Sequence, residues 1–313
     1  MASYALEGSY GKQAVPVFKI RKHVGGKHDV VDLMVEIMLE GEVQESWLSG
    51  ENHQILPTET QKNTCYVNAL NTEYDSSEQY GLALARDILD RHSHIQVVNL
   101  AIEERPWTRV TTSSGAEHNH VFMKPKDPHK ITSKMRVPRS GHAHIVSGVD
   151  DLCLMKTTQS GFSGFIVDEY TTLQPVGGPG SANPDRIMCT ELSANWEYCS
   201  GVMPSDGFKV TNAAILQTLL DVWGGDPQQG IYSKSVQQTA YRIATAILDN
   251  FPCIDAVTLT TPNIHHYRHE LEQFGLENPN IVFQSTDCHT TASGRIITRL
   301  SRDQQRARPQ SRL

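Results

Sequence analysis

Residues 30–41, VVDLMVEIMLEG, constrain the fold more than any other stretch, because their apolar side chains recur at every second position. Successive side chains of an extended strand point to opposite faces, so this spacing predicts one long strand with a single buried face. The preceding segment 14–23 is also extended in pattern, and Gly25-Gly26 between the two predicts a turn. The first 41 residues therefore predict a long β-hairpin. The residues of the predicted buried face are Val31, Leu33, Val35, Ile37 and Leu39.

The order of predicted elements after this hairpin occurs twice along the chain. In the first half, a helix is predicted to start at Thr58, which has the spacing of a capping box with Gln61. A helix over 76–92 follows, with Ser76 and Gln79 in the spacing of a second capping box, and then strands over 94–104 and 117–125. The second half repeats this order, with strands at 144–158 and 187–200, helices at 207–223 and 234–250, and strands at 254–261, 280–286 and 295–301.

This repetition predicts an α+β fold of two tandem ββααββ units, with antiparallel sheets and helices on one face. The predicted boundary lies in the polar segment near residue 140. It gives a first domain over 1–139 and a second over 140–313 that ends in a flexible tail. Each unit leaves two open sheet edges, and closing them against further copies predicts an oligomeric barrel.

Composition excludes several classes of function for this 313-residue chain. The net charge of −7 gives no indication of nucleic-acid binding. No apolar run reaches the roughly 18 residues that suggest a membrane span. The six cysteines are scattered without a C-x-x-C pair, which favours free thiols.

Histidine pairs leave a metal-dependent function open. His118 with His120, and His142 with His144, have the spacing that puts both rings on one face of a strand, where they could bind zinc. The sequence shows no third ligand for either pair, so ordinary polar histidines are the favoured interpretation. A zinc-dependent hydrolase acting on a purine or pterin is therefore retained as the alternative function.

Six short polar segments at the ends of predicted elements resemble, in their order and separations, the cofactor-independent urate oxidases, or uricases. The resemblance covers nearly the whole chain. It implies the tunnelling fold, a doubled ββααββ unit that assembles as a homotetramer with active sites at subunit interfaces. The segments are YGK (10–12), TETQKNT (58–64), GFSGFIVDEYTTL (161–173), DRI (185–187), SVQQTAY (235–241) and PNIH (262–265).

The resemblance also implies which side chains bind urate, a flat anionic ring. Phe162 stacks on the ring, Arg186 offers it a two-pronged guanidinium, and Gln237 pairs with its opposite edge, aided by the backbone of Val236. Thr58 and the backbone N–H of Glu59 meet the five-membered ring.

Catalysis is implied to need no cofactor and no metal. Lys12, Thr58 and His265 form a proton relay, and Asn263 and Thr58 hold O2 and then water above the ring. Urate, O2 and water give 5-hydroxyisourate and hydrogen peroxide. Taken singly, each of these residues also fits an ordinary structural role, such as a helix cap for Thr58.

The last three residues, Ser311, Arg312 and Leu313, resemble the address that a peroxisomal import receptor reads at a free C-terminus. A peroxide-producing enzyme fits that organelle, so a peroxisomal location is expected. A third hypothesis is a purine-binding oligomer without catalysis. It is disfavoured because Lys12, Thr58, Asn263 and His265 are all present, although ring binding alone would not need all four.

Overall fold

The computed structural model describes residues 4–126, 128–172, 186–279 and 281–302. The Gly/Pro-rich sequence of residues 174–184 predicts a surface loop, but this segment and the tail Ser311–Leu313 lie outside the described residues. The strands are β1 (Tyr10–Lys22), β2 (His28–Gly41), β3 (Ile95–Glu104), β4 (Thr108–Thr111), β5 (Glu117–Met123), β6 (Lys130–Pro138), β7 (His144–Lys156), β8 (Met188–Tyr198), β9 (Ile254–Pro262), β10 (His266–Arg268), β11 (Phe283–Ser285) and β12 (Arg295–Ser301). The helices are α1 (Glu45–Leu48), α2 (Thr58–Asn71), α3 (Ser77–Arg91), α4 (Gly207–Gly224) and α5 (Val236–Asn250), with a 3₁₀ turn at Glu272–Phe274.

The chain forms two compact units that are not continuous in sequence. The first contains residues 1–149 and 196–212, and the second contains 150–195 and 213–313. The predicted domain boundary near residue 140 lies between β6 and β7, before the first unit's long segment ends at Val149. The division into tandem domains at that residue stays a prediction.

The first unit is built on the strand order β1-β2-β3-β6, in which every neighbouring pair is antiparallel. The alternating face of β2 is buried as predicted, and Leu33, Val35, Ile37 and Leu39 are all fully buried. Helices α2 and α3 pack against these strands, α2 on β1 and α3 on β3 and β6. The alternation therefore places both helices on one side of the sheet.

Residues 117–125 contain a strand as predicted, β5, but its place in the predicted ββααββ order was wrong. It pairs with β4 in a separate two-stranded ribbon and not in the main sheet. The partner of β3 is β6, which carries Ser133, Met135 and Val137 on its buried side. A hydroxyl within the apolar alternation obscured this strand in the sequence.

The second unit repeats the arrangement around β9 and β12, which pair antiparallel from Arg295 opposite Pro262 to Ser301 opposite Ala256. Helix α5 packs on both strands. The expected strand at 280–286 is only the short β11, and it pairs with β10 in a hairpin rather than with β9. This hairpin and the β4–β5 ribbon are insertions into the repeated ββααββ order.

Two helices start with the same cap, one in each unit. Ser76 accepts a hydrogen bond from the Gln79 N–H at 3.2 Å, and Ser235 accepts one from the Gln238 N–H at 3.1 Å. Each glutamine also accepts from the residue before the serine, as Gln238 does from the Lys234 N–H. The second helical residue is therefore Glu78 in α3 and Gln237 in α5.

The predicted capping box at Thr58 was wrong. Thr58 is the first helical residue of α2, the cap position is Pro57, and no side chain caps the helix. The buried side chain of Gln61 donates instead to the carbonyl of Leu56 at 3.0 Å. Proline fits this position because its fixed φ directs the chain into the helix.

An arginine side chain closes the C-terminal end of each of these two helices, α3 and α5. Arg139 donates to the carbonyls of Leu89, His92 and Ile95 at 2.6–2.9 Å, and so ties the end of α3 to the start of β3. Arg302 makes the corresponding bonds after α5. Carbonyls in the last turn of a helix have no intrahelical partner, so each arginine satisfies one helical carbonyl, that of Leu89 or Leu248, which would otherwise need water. The carbonyls bound by Arg302 are those of Leu248, Phe251 and Ile254.

The repeated elements, caps and arginines confirm an α+β fold with mainly antiparallel strands. Assembly into a barrel stays a prediction. In the part of the chain that the structure describes, no helix is both long enough and apolar enough to cross a membrane.

Replacing Arg139 should destabilise the first unit measurably. Arg139→Ala removes a charged donor from three carbonyls, so we expect the free energy of unfolding to fall by about 2 kcal/mol. Urea denaturation followed by circular dichroism measures the change. Arg86→Ala is the matched control, since Arg86 is an exposed arginine of α3. Equal stability of the two variants would show that the carbonyls are satisfied without the guanidinium.

Candidate active site

A cavity of about 250 Å³ in the second unit gathers six of the predicted site residues, which are far apart in sequence. They come from four separate segments: the loop after β7, the start of β8, the start of α5 and the end of β9. Apolar side chains of Ile187, Met188 and Ile296 complete much of the wall. The predicted residues in the lining are Phe162, Arg186, Val236, Gln237, Asn263 and His265.

The start of α5 supplies backbone donors to this cavity. Ser235 satisfies the N–H of Gln238, as described above, which leaves the first-turn N–H groups of Val236 and Gln237 without a carbonyl partner inside the helix. These N–H groups and the helix dipole favour negative charge. The cap therefore fixes the position of the two N–H groups that can donate to an anionic edge of a ligand.

Phe162 lies on a loop that is tied to the segment before α5. The Gly161 N–H donates to the Ser233 carbonyl, and the Ser233 N–H donates to the Gln159 carbonyl, both at 2.9 Å. The Phe162 ring stacks on Phe165, with centroids 5.1 Å apart and an angle of 9° between planes. A second flat ring thus supports the predicted stacking ring from behind.

Arg186 is anchored to the same loop through Ser160. Its backbone N–H donates to the Ser160 carbonyl at 2.8 Å, and the Ser160 hydroxyl donates back to the Arg186 carbonyl. Burial lowers the pKa of Arg186, and the nearby Tyr267 opposes that shift. A guanidinium stays charged across the range in which proteins work, so the cavity keeps a fixed positive charge.

Three different parts of the unit hold the backbone from Asn263 to His265. The Asn263 N–H donates to the Gly294 carbonyl at 2.8 Å, and the Ile264 N–H donates to the Cys189 carbonyl at 2.9 Å. The His265 N–H donates to the Thr286 hydroxyl at 2.9 Å. Side chains on a backbone fixed at three successive residues lose little entropy when they align with a ligand.

The His265 ring is set up to be neutral. Burial lowers its pKa below the ordinary histidine value, and the neighbouring charges of Arg186 and His266 lower it further. The ring of Tyr267 stacks on it with centroids 5.5 Å apart. A neutral imidazole can accept a proton, which is what the predicted relay requires of this residue.

Lys12, Thr58 and Glu59 do not line this cavity, because they belong to the first unit. There they lie at the same end of α2 and β1. The Leu56 N–H donates to the Tyr10 hydroxyl at 2.8 Å, which ties the chain just before α2 to the start of β1. Lys12 is close enough to Glu59 for its charge to contribute to the lowered pKa of that carboxylate, although the hydrogen bond from Lys62 is the main cause.

The strand around Lys12 is irregular. Its pairing with β2 shifts between Lys12 and Val15, and Ala14 has a positive φ of 56°. Such a bulge turns side chains out of the regular alternation and is frequent beside functional sites. The structure thus brings Lys12, Thr58 and Glu59 together in one unit and the other six predicted residues together in the other. Their individual roles stay predictions.

Sequence reasoning missed part of the cavity. Tyr267 lines it and stacks on His265, but nothing in its local sequence marks it beyond its position two residues after that histidine. Ser160 and Cys189 also line it, and both act through backbone or hydroxyl contacts with Arg186 and Ile264. Such supporting contacts depend on tertiary structure and leave no sequence pattern.

Within the described part of the chain, neither histidine pair gains a full set of metal ligands. The rings of His118 and His120 lie 4.8 Å apart, and His28 approaches His120 at 6.2 Å between centroids. Among the described residues, however, one group of three candidate ligands has its atoms within 4.8 Å of one another, and no member of either pair belongs to it. The zinc-dependent alternative therefore finds no support in these pairs.

Comparison with known proteins decides the family. The family model described as Uricase matches residues 8–133 and 145–293. This chain belongs to the uricase family. The match includes all nine predicted site residues, since Lys12, Thr58 and Glu59 lie in its first segment and the other six in its second.

Named uricases from different kingdoms are similar to this chain. A uricase of Dictyostelium discoideum is 34% identical over 283 residues, covering 90% of this chain and 93% of that protein. Uricase-2 isozyme 1 of Glycine max is 34% identical over 268 residues, covering 84% of each. A crystal structure of uricase from Arthrobacter globiformis matches with a TM-score of 0.85 at 29% identity and covers 99% of both chains. These matches confirm the uricase resemblance and the tunnelling fold inferred from the sequence.

In this protein, the pKa of His265 should rise when the charge of Arg186 is removed. The folded pKa is below the ordinary 6.5, so the unfolded chain binds this proton more tightly. The stability contributed by neutral His265 is therefore complete above about pH 6.5 and is lost as the pH falls towards the folded pKa. In Arg186→Gln, we expect the pKa to move upwards without reaching its ordinary value, because burial remains.

Carbon–proton correlation spectra of histidine-labelled protein measure this titration, and His265→Gln identifies the signal. Arg268→Gln is the control, since that exposed arginine is bound to Glu270 at 2.9 Å and is not among the causes of the shift. An unchanged midpoint in Arg186→Gln would mean that the two groups are not electrostatically coupled.

Proposed function

We propose that this uricase-family chain oxidises urate with O2 and water and that urate binds in the cavity of the second unit. The observation that carries the proposal is the lining itself: an aromatic ring, a guanidinium, a carboxamide and two helix N–H groups around one small space. A flat, anionic, nitrogen-rich ring needs this combination, since its faces are apolar and its edge carries both donors and acceptors.

Each lining group has a distinct part in binding. Phe162 stacks on one face of the ring, with Phe165 behind it. Arg186 forms two parallel hydrogen bonds to the pyrimidine side, which its planar fork allows and a lysine would not. Gln237 pairs with the opposite edge through its amide, and the Val236 N–H adds a further donor.

The reacting side of the ring faces Asn263 and His265 in this proposal. Urate is deprotonated further until it is electron-rich enough to reduce O2, and neutral His265 takes part in the proton transfer. Asn263 holds first O2 and then water. Urate, O2 and water give 5-hydroxyisourate and hydrogen peroxide, in which O2 accepts two electrons from urate and the added oxygen comes from water.

Lys12, Thr58 and Glu59 complete the site from a neighbouring subunit of a homotetramer. Support comes from their grouping at one end of the first unit and from the family to which the chain belongs. Lys12 and Thr58 then extend the proton relay of His265. The Glu59 N–H in the first turn of α2 meets the anionic five-membered ring.

A peroxisomal location is part of the proposal, supported by the Ser311–Arg312–Leu313 ending and by the peroxide product. A fluorescent protein fused to the N-terminus of the whole chain should move into catalase-containing organelles. The same fusion without the last three residues should stay outside them and keep full urate turnover. Identical distributions would show that these residues are not an import signal.

Turnover by metal-stripped protein is the central test. After dialysis against a chelator, we expect loss of urate absorbance, O2 uptake and peroxide release in equal amounts, because the chemistry needs only urate and O2. Loss of turnover that zinc restores would favour the hydrolase. Urate binding without O2 uptake would favour the purine-binding oligomer without catalysis.

Lys12→Met should separate binding from turnover. Methionine keeps the length of the side chain but cannot transfer a proton, so we expect kcat to fall by about 100-fold or more with urate affinity nearly unchanged. Steady-state kinetics and equilibrium dialysis under anaerobic conditions measure the two quantities. Lys22→Met, an exposed lysine at the other end of β1, is the control. Near-normal kcat in Lys12→Met would remove this lysine from the mechanism.

A further inference from the structure

A cluster of three side chains in the second unit has the composition of a metal site and no part in the proposed reaction. Glu191 lies on β8, and Cys288 and His289 are consecutive residues after β11. The Glu191 carboxylate is 3.1 Å from His289 Nε2 through one oxygen and 3.8 Å from Cys288 Sγ through the other. All three candidate ligand atoms lie within 4.8 Å of one another.

These separations suit a tetrahedral cation. Zinc binds nitrogen and oxygen at about 2.0–2.2 Å and thiolate sulfur at about 2.3 Å, which puts neighbouring ligand atoms of a tetrahedron about 3.3–3.8 Å apart. The three candidate ligand atoms, one from each residue, lie within 4.8 Å of one another, a limit somewhat wider than this range. Small rotations of the partly exposed side chains are enough to close the group around one ion.

The three protein ligands leave one position of a tetrahedron open, which a water molecule can fill, as in zinc sites with three protein ligands. Cys288 is partly buried, and its thiol lies 3.8 Å from the Glu191 carboxylate, so a cation bound between them would take the place of the thiol proton.

The surroundings also favour positive charge. Besides the Glu191 carboxylate, the Asp287 carboxylate lies beside the cluster, where it accepts a hydrogen bond from the His289 N–H at 2.6 Å. A divalent cation would satisfy the negative field of these two groups.

We infer that Glu191, Cys288 and His289 form a binding site for a thiophilic divalent cation such as Zn²⁺. A thiol and an imidazole select zinc over magnesium or calcium, which prefer oxygen ligands. The site lies outside the reaction because these three residues do not line the proposed urate cavity.

Occupancy should stabilise the segment that carries Asn263 and His265. The carbonyl of Cys189 accepts the Ile264 N–H at 2.9 Å, and Glu191 lies two residues further along β8. A cation that fixes Glu191 therefore also restrains the strand on which this segment rests. Binding to the folded state alone raises the melting temperature in proportion to the logarithm of metal concentration above Kd. Turnover of the metal-free enzyme is expected to persist.

Metal titration of the whole, chelator-stripped protein tests the site directly. Zn²⁺ should bind at one ion per chain by mass spectrometry of the metal content, with a rise in melting temperature. Co²⁺ should give the intense visible absorption of a tetrahedral, thiolate-bound ion. Cys288→Ser and His289→Ala should each weaken binding by about 100-fold while keeping urate turnover, which shows that the variants fold.

His144→Ala is the matched control. His144 Nε2 lies 3.8 Å from Glu197 at the far end of β8, a histidine–carboxylate pair outside the described metal-ligand group. Its loss should leave metal binding unchanged. Equal Zn²⁺ affinity in the native protein and in the Cys288 and His289 variants, or a Co²⁺ spectrum without thiolate absorption, would overturn the inference. These readouts do not use urate oxidation, so they remain decisive if the proposed function fails.

Discussion

Alternate burial along the core strands is the constraint on which both units depend. On β2 the buried positions Leu33, Val35, Ile37 and Leu39 are fully excluded from solvent, and on β8 Leu192 and Ala194 are as well. A shift of one residue in register would turn all of these side chains to the opposite face. The alternation therefore fixes the strand register, and the register fixes which strand ends meet at the candidate site.

Hydrogen bonds at the ends of the helices fix where the elements of the candidate site lie relative to this sheet. A serine cap fixes the first turn of α5, and Arg302 fixes the last turn of the same helix to the start of β9. The strand that leaves this junction ends at Asn263, where three backbone hydrogen bonds hold the segment to His265. The first turn of α5 and the segment after β9, which both line the cavity, are thus positioned by hydrogen bonds at the two ends of the same helix.

Much of the fold could be predicted because its strongest signals are local. The alternation of β2 and the serine and glutamine that start α3 are visible in short windows, and both have the predicted structure. Predictions from short stretches of sequence failed where a residue's structure depends on residues far away in the chain. β6 was missed because Ser133 interrupts its apolar pattern. Thr58 was predicted to be the N-cap residue of α2, but Pro57 occupies the cap position.

The candidate site divides in the same way. Phe162, Arg186, Gln237 and Asn263 could be predicted because each lies in a motif of a known family, and the structure gathers them in one cavity. Tyr267 could not, because its role comes from stacking on His265 after the chain has folded. The neutral state of His265 likewise depends on burial and on Arg186, which lies far away in sequence.

Because α3 and α5 start with the same cap, residues at matching positions of the two helices can be compared directly. The second helical residue in the first unit is Glu78, which is 1% exposed and accepts hydrogen bonds from Ser147 and Asn212. The second helical residue in the second unit is Gln237, which is exposed and lines the cavity. The second helical residue thus makes hydrogen bonds within its own unit in α3. At the same position of α5, the residue is left open to a small molecule. The features that both copies keep, a serine cap and a closing arginine, are those that folding requires, and the features that differ are those available for recognition.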